Sequence, residues 1–187
     1  MDGQGTVVSL PEIIVVMGVS GAGKSTVGTA LAAFLHRTFI DADDLHPAAN
    51  KAKMAAGIPL DDHDRGPWLD AVADAARIAR PTVVACSALK RDYRSRLAAG
   101  PHSVAFIELD VERSELETRL SARSHEFMSP ALLASQLETL EPLSADEPGI
   151  HLPYAAPRSS RETAQLAVAA LEAKGRNLRS ARTRQDA

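Results

Sequence analysis

The segment from Gly18 to Ser25, GVSGAGKS, constrains this chain more than any other feature. It matches the phosphate-binding pattern G-x-x-x-x-G-K-[ST] at every fixed position, and it lies between an apolar run and a helical pattern. Glycines let successive backbone N–H groups turn toward a phosphate, and the following helix adds its positive end. A chance glycine-rich turn would not require this order of strand, loop and helix. The order therefore predicts an α/β domain that binds a nucleotide.

The roles within this loop follow from its chemistry. The Lys24 ammonium is predicted to reach the β- and γ-phosphate oxygens, and the Ser25 hydroxyl is predicted to join the shell of a Mg²⁺ ion. ATP and Mg²⁺ are therefore the expected cofactors. The predicted ATP-binding residues of the loop are Gly18, Val19, Ser20, Gly21, Ala22, Gly23, Lys24, Ser25 and Thr26.

The rest of the chain alternates short β-branched runs with longer helical patterns, which is typical of a parallel sheet with helices on both faces. About five strands are predicted, at residues 13–17, 37–40, 82–86, 103–109 and 150–154. The predicted helices span 24–36, 67–79, 90–99, 112–122, 130–140 and 160–173, with Pro67 and Pro130 each in a first helical turn. Residues 1–173 are expected to form one domain, followed by a disordered basic tail at 174–187. Two polar stretches, 41–65 and 123–129, fit neither pattern and are candidate functional segments.

Composition excludes several classes of protein. The formal charge of −3 argues against a dedicated nucleic-acid binder, and the single cysteine, Cys86, excludes an intrachain disulfide. The first residues lack the features of a secretory signal, and no apolar run approaches a membrane span, so we expect a cytoplasmic protein that does not bind membranes. The guanine-reading pattern N-K-x-D is also absent from the sequence, because Ala52 and Lys53 follow Asn50 and Lys51. This absence favours a small-molecule kinase over a switch GTPase.

Two aspartates follow the second predicted strand in the run DADDLHP. Asp41 and Asp43 are two residues apart, so an extended backbone would place both carboxylates on one side. Phosphoryl transfer can use one carboxylate near Mg²⁺ and another to orient the acceptor hydroxyl and take its proton. We assign Asp41 to the metal and Asp43 to catalysis. The alternative is an acidic loop with a helix cap, a role that Asp44 would also serve.

Three longer runs resemble the gluconate kinase (gluconokinase) family, which is related to the shikimate and nucleoside monophosphate kinases. They are DADDLHPAANKAKMAAGIPLDDHDRGPWL (41–69), CSALKRDYR (86–94) and RSHEFMSPALLASQLETLEP (123–142). With the phosphate-binding loop, the resemblance covers most of residues 13–142. It implies a P-loop kinase fold that phosphorylates D-gluconate at the 6-hydroxyl to give 6-phospho-D-gluconate and ADP, which feeds sugar-acid pathways such as the pentose phosphate pathway.

Such a substrate needs a cation for its carboxylate and hydrogen-bonding groups for its hydroxyls. We expect these groups in the substrate-binding segment 41–69 and in the run that follows it. Arg65, Lys90 and Arg94 are the candidate cations, and Asp43 and His46 are expected to face hydroxyls. Arg65 is preferred for the carboxylate because a guanidinium can donate two parallel hydrogen bonds. The alternative for Arg65 is a surface ion pair with a neighbouring aspartate.

The resemblance also implies a mobile lid over about 119–129 that closes on ATP. Arg119, Arg123 and His125 flank this segment. Arg119 and Arg123 are assigned to ATP, Arg123 also to catalysis with Lys24 and Asp43, and His125 to the substrate. An ordinary helix ion pair with Glu115 is the alternative for Arg119.

Two competing functions remain at this point. One is a kinase for another small polyol acid, such as shikimate, and the other is a nucleotide-binding regulator without transfer activity. The presence of metal, acceptor and lid candidates disfavours the regulator. A homodimer with ATP and D-gluconate as its small-molecule partners is the expected form.

Overall fold

The computed structural model describes residues 9–121, 130–153 and 158–185 of the 187-residue chain. Within these ranges, parallel strands form a five-stranded sheet with the order β2-β3-β1-β4-β5. The strands are β1 (Ile13–Met17), β2 (Thr38–Asp41), β3 (Thr82–Ala85), β4 (Val104–Asp110) and β5 (Gly149–Pro153). The predicted α/β fold is therefore confirmed, and each predicted strand lies within about one residue of its observed bounds.

Helices connect the strands and cover the sheet. They are α1 (Lys24–Leu35), α2 (Ala48–Ala55), α3 (Asp62–Ile78), α4 (Arg91–Leu97), α5 (Arg113–Ser121), α6 (Pro130–Thr139) and α7 (Ser160–Gln185), with a 3₁₀ helix η1 at Ala42–Leu45. In the described part of the chain, no helix is both long and apolar enough to cross a membrane.

The central strand β1 shows that both faces of the sheet are covered. Val15 pairs with Val84 of β3 and with Phe106 of β4. All five residues of β1 are buried, although successive side chains of a strand point to opposite faces. The sheet is therefore the middle layer of the core, and its carboxyl edge is where a ligand of an open α/β sheet binds.

The segment 41–65 is more regular than its composition predicted, because it holds η1, α2 and the start of α3. Helix α3 begins at Asp62, and the expectation that it begins at Pro67 is wrong. Asp61 caps the helix earlier: its carboxylate accepts from the Asp64 N–H at 2.8 Å, and the Asp64 carboxylate accepts from the Asp61 N–H at 3.1 Å. Pro67 consequently lies inside the helix.

Helix α7 also exceeds its predicted length. It continues past Ala173 to Gln185, so the boundary at residue 173 and the disordered tail are wrong over 174–185. Most residues of this stretch are good helix formers. Lys174 also fixes the helix to the sheet, since its Nζ donates to the carbonyl oxygens of Glu147 at 2.9 Å and Gly149 at 2.6 Å.

Candidate active site

The phosphate-binding loop follows β1 at the carboxyl edge of the sheet and leads into α1. Gly18, Gly21 and Gly23 have φ angles of 137°, 83° and 94°, values that favour glycine. A Cβ at Gly18 would also lie 3.1 Å from the Leu109 carbonyl oxygen. Gly23 precedes α1 without a side chain to cap it, so the first N–H groups of the helix can bind a phosphate.

Ser25 and Asp41 bring two oxygen ligands together beside this loop. The Ser25 hydroxyl donates to Asp41 Oδ2 at 2.6 Å, and Asp41 Oδ1 accepts from the Asp43 N–H at 3.1 Å. A hydroxyl and a carboxylate at this separation fit a Mg²⁺ ion, which prefers oxygen ligands. The expected extended backbone from Asp41 to Asp43 is wrong, because the chain turns into η1 directly after Asp41, which is the cap of η1.

A cleft lies between the phosphate-binding loop, the segment 41–69 and α6. It encloses about 590 Å³ including its mouth, and Lys24 and Asp43 both line it. Lys24 Nζ also donates to the Val19 carbonyl oxygen at 3.1 Å, which holds the ammonium at the loop. The cleft therefore joins a phosphate-binding group to a carboxylate.

Asp43 has the electrostatic environment of a base. Asp43 is exposed to water at the cleft, but the protein atoms around it partly desolvate the carboxyl group and raise its pKa. The ammonium of Lys24 opposes this shift, whereas the carboxylate of Asp41 adds to it. A carboxylate with a raised pKa accepts a proton more readily than an ordinary one.

His46 lines the same cleft as a neutral ring. Its imidazole stacks on Trp68 with 4.1 Å between the ring centroids. Burial, followed by the charges of Arg65 and Lys51, lowers the pKa of His46 to about 4. Asn50 Nδ2 lies 3.4 Å from His46 Nδ1, and because an amide nitrogen donates, this contact places the ring proton on Nε2. His46 therefore offers one N–H donor.

Arg65 is a buried cation in the wall of the cleft. Its residue is 7% exposed, and its Nε donates to the Leu60 carbonyl oxygen at 3.3 Å. Among the described residues no carboxylate forms an ion pair with Arg65: Asp62 pairs with Lys90, and Asp64 pairs with Lys53. The surface ion pair considered from the sequence is thus not formed.

The other two candidate cations lie elsewhere. Lys90 Nζ contacts both carboxylate oxygens of Asp62, at 2.7 and 2.8 Å, outside the lining of the cleft. Arg94 is 1% exposed, and its Nε and Nη2 donate to Glu147 at 2.6 and 2.8 Å. Its Nη1 contacts the carbonyl oxygens of Ala88, Leu89 and Glu141. The substrate contact predicted for Arg94 is wrong on this geometry, because all three of its nitrogens bind the protein in a buried position. The substrate contact predicted for Lys90 stays a prediction, because its ion pair with Asp62 is partly exposed.

The lid candidates divide between described and undescribed residues. Arg119 Nε pairs with Glu115 at 2.8 Å, the helix contact that was the alternative for this residue. Its Nη1 also lies 3.4 Å from the Ala22 carbonyl oxygen of the phosphate-binding loop. Arg119 is thus at the nucleotide side of the site. Arg123 and His125 lie outside the described residues.

Helix α6 supplies cleft residues that the sequence analysis did not identify. Leu132, Ser135 and Gln136 line the cleft from one face of this helix. Gln136 Oε1 accepts from the Ser20 N–H of the phosphate-binding loop at 2.7 Å. The three residues lie in the run 123–142 with i, i+3, i+4 spacing, but an ordinary core-facing stripe has the same spacing, so the pattern did not single them out.

Comparisons with known proteins concern the whole chain. A family model described as an AAA domain matches residues 13–143. The chain is 46% identical over 140 residues to the thermoresistant gluconokinase of Escherichia coli (strain K12), covering 73% of this chain and 80% of that protein. It is 45% identical to a gluconokinase of Gluconobacter oxydans (strain 621H) over 76% of this chain and 82% of that protein.

Solved structures give the same result for the fold. The crystal structure of a gluconokinase from Sinorhizobium meliloti 1021 is similar with a TM-score of 0.80 at 43% identity, covering 90% of this chain and 95% of that chain. A shikimate kinase from Acinetobacter baumannii has a TM-score of 0.56 at 17% identity, covering 89% of this chain and 95% of that chain. The second likeness shows a shared fold alone.

Proposed function

The chain belongs to the gluconokinases, and on this basis we propose that it uses ATP to phosphorylate D-gluconate at the 6-hydroxyl. The products are 6-phospho-D-gluconate and ADP. The reaction moves the γ-phosphoryl group of ATP to the hydroxyl oxygen, and the hydroxyl proton leaves to a base. The chain must therefore bind a nucleotide, bind a linear acid by its charged end and accept a proton at the other end.

The buried guanidinium of Arg65 in the cleft wall is the observation that carries this proposal. A buried cation without a countercharge is costly, and a ligand carboxylate removes that cost. The two terminal nitrogens of Arg65 make no hydrogen bond within the described ranges, so they can donate to both oxygens of a carboxylate. An acceptor with one carboxylate fits this site better than a neutral sugar.

The phosphate-binding loop forms the side of the proposed site that binds ATP, the phosphoryl donor. Lys24 and the N-terminus of α1 bind the phosphate oxygens, and they stabilise the charge that spreads over the transferred group. Ser25 and Asp41 would hold Mg²⁺, which neutralises phosphate charge when bound. Arg119, next to Ala22, is assigned to the nucleotide.

The 3₁₀ helix η1 lies on the side of the proposed site that binds D-gluconate, the phosphoryl acceptor. Asp43 orients the 6-hydroxyl and takes its proton, a role that suits a carboxylate of raised pKa. His46 donates from Nε2 to another hydroxyl of the substrate. We assign Arg123 and His125 to a lid over 119–129 that closes on ATP and substrate. The proposal includes a cytoplasmic homodimer.

The experiment is a coupled assay of ADP release with a panel of acceptors: D-gluconate, other sugar acids, shikimate and the neutral amide of gluconate, gluconamide. D-Gluconate is expected to give the highest kcat/KM. Arg65→Ala is expected to raise the gluconate KM about tenfold or more, because a charge-assisted hydrogen bond contributes about 1.5–3 kcal/mol. The ATP KM should change little.

The matched control is Arg77→Ala, which removes an arginine from the same helix, where Arg77 pairs with Asp74. This variant should keep the parental gluconate KM. If shikimate exceeds gluconate in kcat/KM, the proposed substrate is wrong. If Arg65→Ala and Arg77→Ala behave alike, the carboxylate is bound elsewhere.

A further inference from the structure

Tyr93 of α4 contacts Arg65 without lining the cleft itself. The Arg65 Cζ lies 5.7 Å from the centroid of the Tyr93 ring, within the range of a cation–π contact. Tyr93 is 6% exposed, so water does not screen this contact strongly. The ring is therefore a fixed surface next to the guanidinium.

Both ends of the Tyr93 side chain are tied to α3. Its ring faces Arg65, and its hydroxyl donates to Asp62 Oδ1. Asp62 and Arg65 are three residues apart, so they lie on one face of the helix. Lys90 also binds Asp62, through both carboxylate oxygens, and its Nζ lies 5.5 Å from the Tyr93 ring centroid. Asp62 forms its ion pair with Lys90 and none with Arg65, although the charge of Arg65 still helps to lower the pKa of Asp62.

An aromatic ring holds a guanidinium in a way that a carboxylate cannot. A carboxylate partner would use the N–H donors of Arg65 and neutralise its charge, and it would then compete with a substrate carboxylate. A ring face attracts the cation electrostatically but accepts none of its in-plane hydrogen bonds. Arg65 uses only Nε within the described residues, in its bond to Leu60. The terminal nitrogens thus stay available to a ligand.

We propose that Tyr93 is a positioning residue that holds Arg65 for the substrate carboxylate and so sets the preference for an acid over a neutral polyol. The inference deepens the proposed function and rests on it, since it takes Arg65 as the carboxylate ligand. Tyr93 acts through Arg65 and does not touch the substrate. Its loss should affect anionic acceptors only.

The test compares Tyr93→Met, which removes the ring but roughly keeps the volume, with the parent, Arg65→Ala and the double variant. Tyr93→Met is expected to raise the gluconate KM about three- to thirtyfold, with kcat and the ATP KM little changed. The inhibition constant of gluconamide should not change, because this neutral analogue has no carboxylate. The double variant should have the same gluconate KM as Arg65→Ala alone, since residues that act through one contact are not additive.

Two further variants separate positioning from folding. Tyr93→Phe keeps the ring and fits the same space, so its gluconate KM should be close to that of the parent. Leu97→Ala, at another buried position of α4, should lower the urea midpoint without raising that KM. These variants keep the test decisive even where Tyr93→Met does not fold.

Several results would overturn the inference. They are additive effects in the double variant, an equal rise in the gluconamide inhibition constant, a Tyr93→Phe variant as impaired as Arg65→Ala, and a raised gluconate KM in Leu97→Ala. An unchanged KM in Arg65→Ala would instead refute the proposed carboxylate ligand, and the inference would fail with it. A raised KM in Arg65→Ala with a parental KM in Tyr93→Met would refute the inference alone.

Discussion

The buried pair of Arg94 and Glu147 should be a main source of stability, and Glu147→Gln tests this. Arg94 Nε and Nη2 donate to the two oxygens of Glu147 at 2.6 and 2.8 Å, and the side chains are 1% and 8% exposed. The same carboxylate accepts from the Ser144 N–H at 2.9 Å. The pair thus fixes the chain before β5 onto α4.

The size of the effect follows from this burial. Glutamine keeps the shape of Glu147 but removes its charge, which leaves the guanidinium of Arg94 buried without a countercharge. Breaking such a pair costs about 3–5 kcal/mol. Each kcal/mol lowers the Tm of a chain of this length by about 2–4 °C, so a loss of roughly 6–20 °C is expected. The control Asp146→Asn removes the partner of Arg91, an exposed pair that contributes at most about 1 kcal/mol.

The assay is urea unfolding of the parent and both variants at pH 7.5, with a check that the m-values agree. The gluconate KM is measured at a temperature at which all three are folded. It should not change in Glu147→Gln, because Arg94 does not line the cleft. If Glu147→Gln kept the parental stability and raised the gluconate KM, the reasoning would be refuted. Arg94 would then again be a candidate ligand of the substrate.

Three further changes test the site itself. Asp41→Asn should raise the Mg²⁺ concentration needed for half-maximal rate, measured by titrating Mg²⁺ at saturating ATP; an unchanged requirement would remove Asp41 from the metal site. Asp43→Asn should lower kcat about 10²- to 10⁴-fold with a small change in KM, as expected for a lost base, and a parental kcat would contradict this role. His46 has a folded pKa of about 4, below its ordinary 6.5, so the unfolded state binds the proton first and stability falls as pH drops from 6.5 to 4. His46→Gln should reduce this loss in urea midpoints across that range, and an equal pH slope in both proteins would count against a buried neutral ring.

The strands and the phosphate-binding loop could be predicted because their signals are local. The run IIVVM is short, apolar and rich in β-branched residues, which favours a buried strand, and the pattern from Gly18 to Ser25 requires the turn that the structure shows. The start of α3 was not predicted, because its local signal has two interpretations. Asp61 and Asp64 are turn-forming by composition, but together they form a capping box.

Contacts between distant parts of the chain could not be predicted in the same way. Arg94 belongs to a run that resembles the family, and nothing nearby shows that its partner is Glu147, in another segment. Gln136 reaches Ser20 across a still longer separation, 116 residues against 53 for Arg94 and Glu147. A single sequence shows which residues carry charge, but burial and pairing decide whether a charged group faces a ligand or the protein.

Trp68 connects the two ends of the proposed acceptor site. Its Nε1 donates to the Ala42 carbonyl oxygen at 2.8 Å, and its ring stacks on His46. Ala42 begins η1, which carries Asp43, and Trp68 lies three residues after Arg65 on α3. The indole thus fixes the separation between the proposed base and the proposed carboxylate ligand. A linear acceptor whose charged and reacting ends lie at opposite termini requires such a fixed separation, because an error of about 1 Å in the position of the hydroxyl can cost roughly a hundredfold in rate.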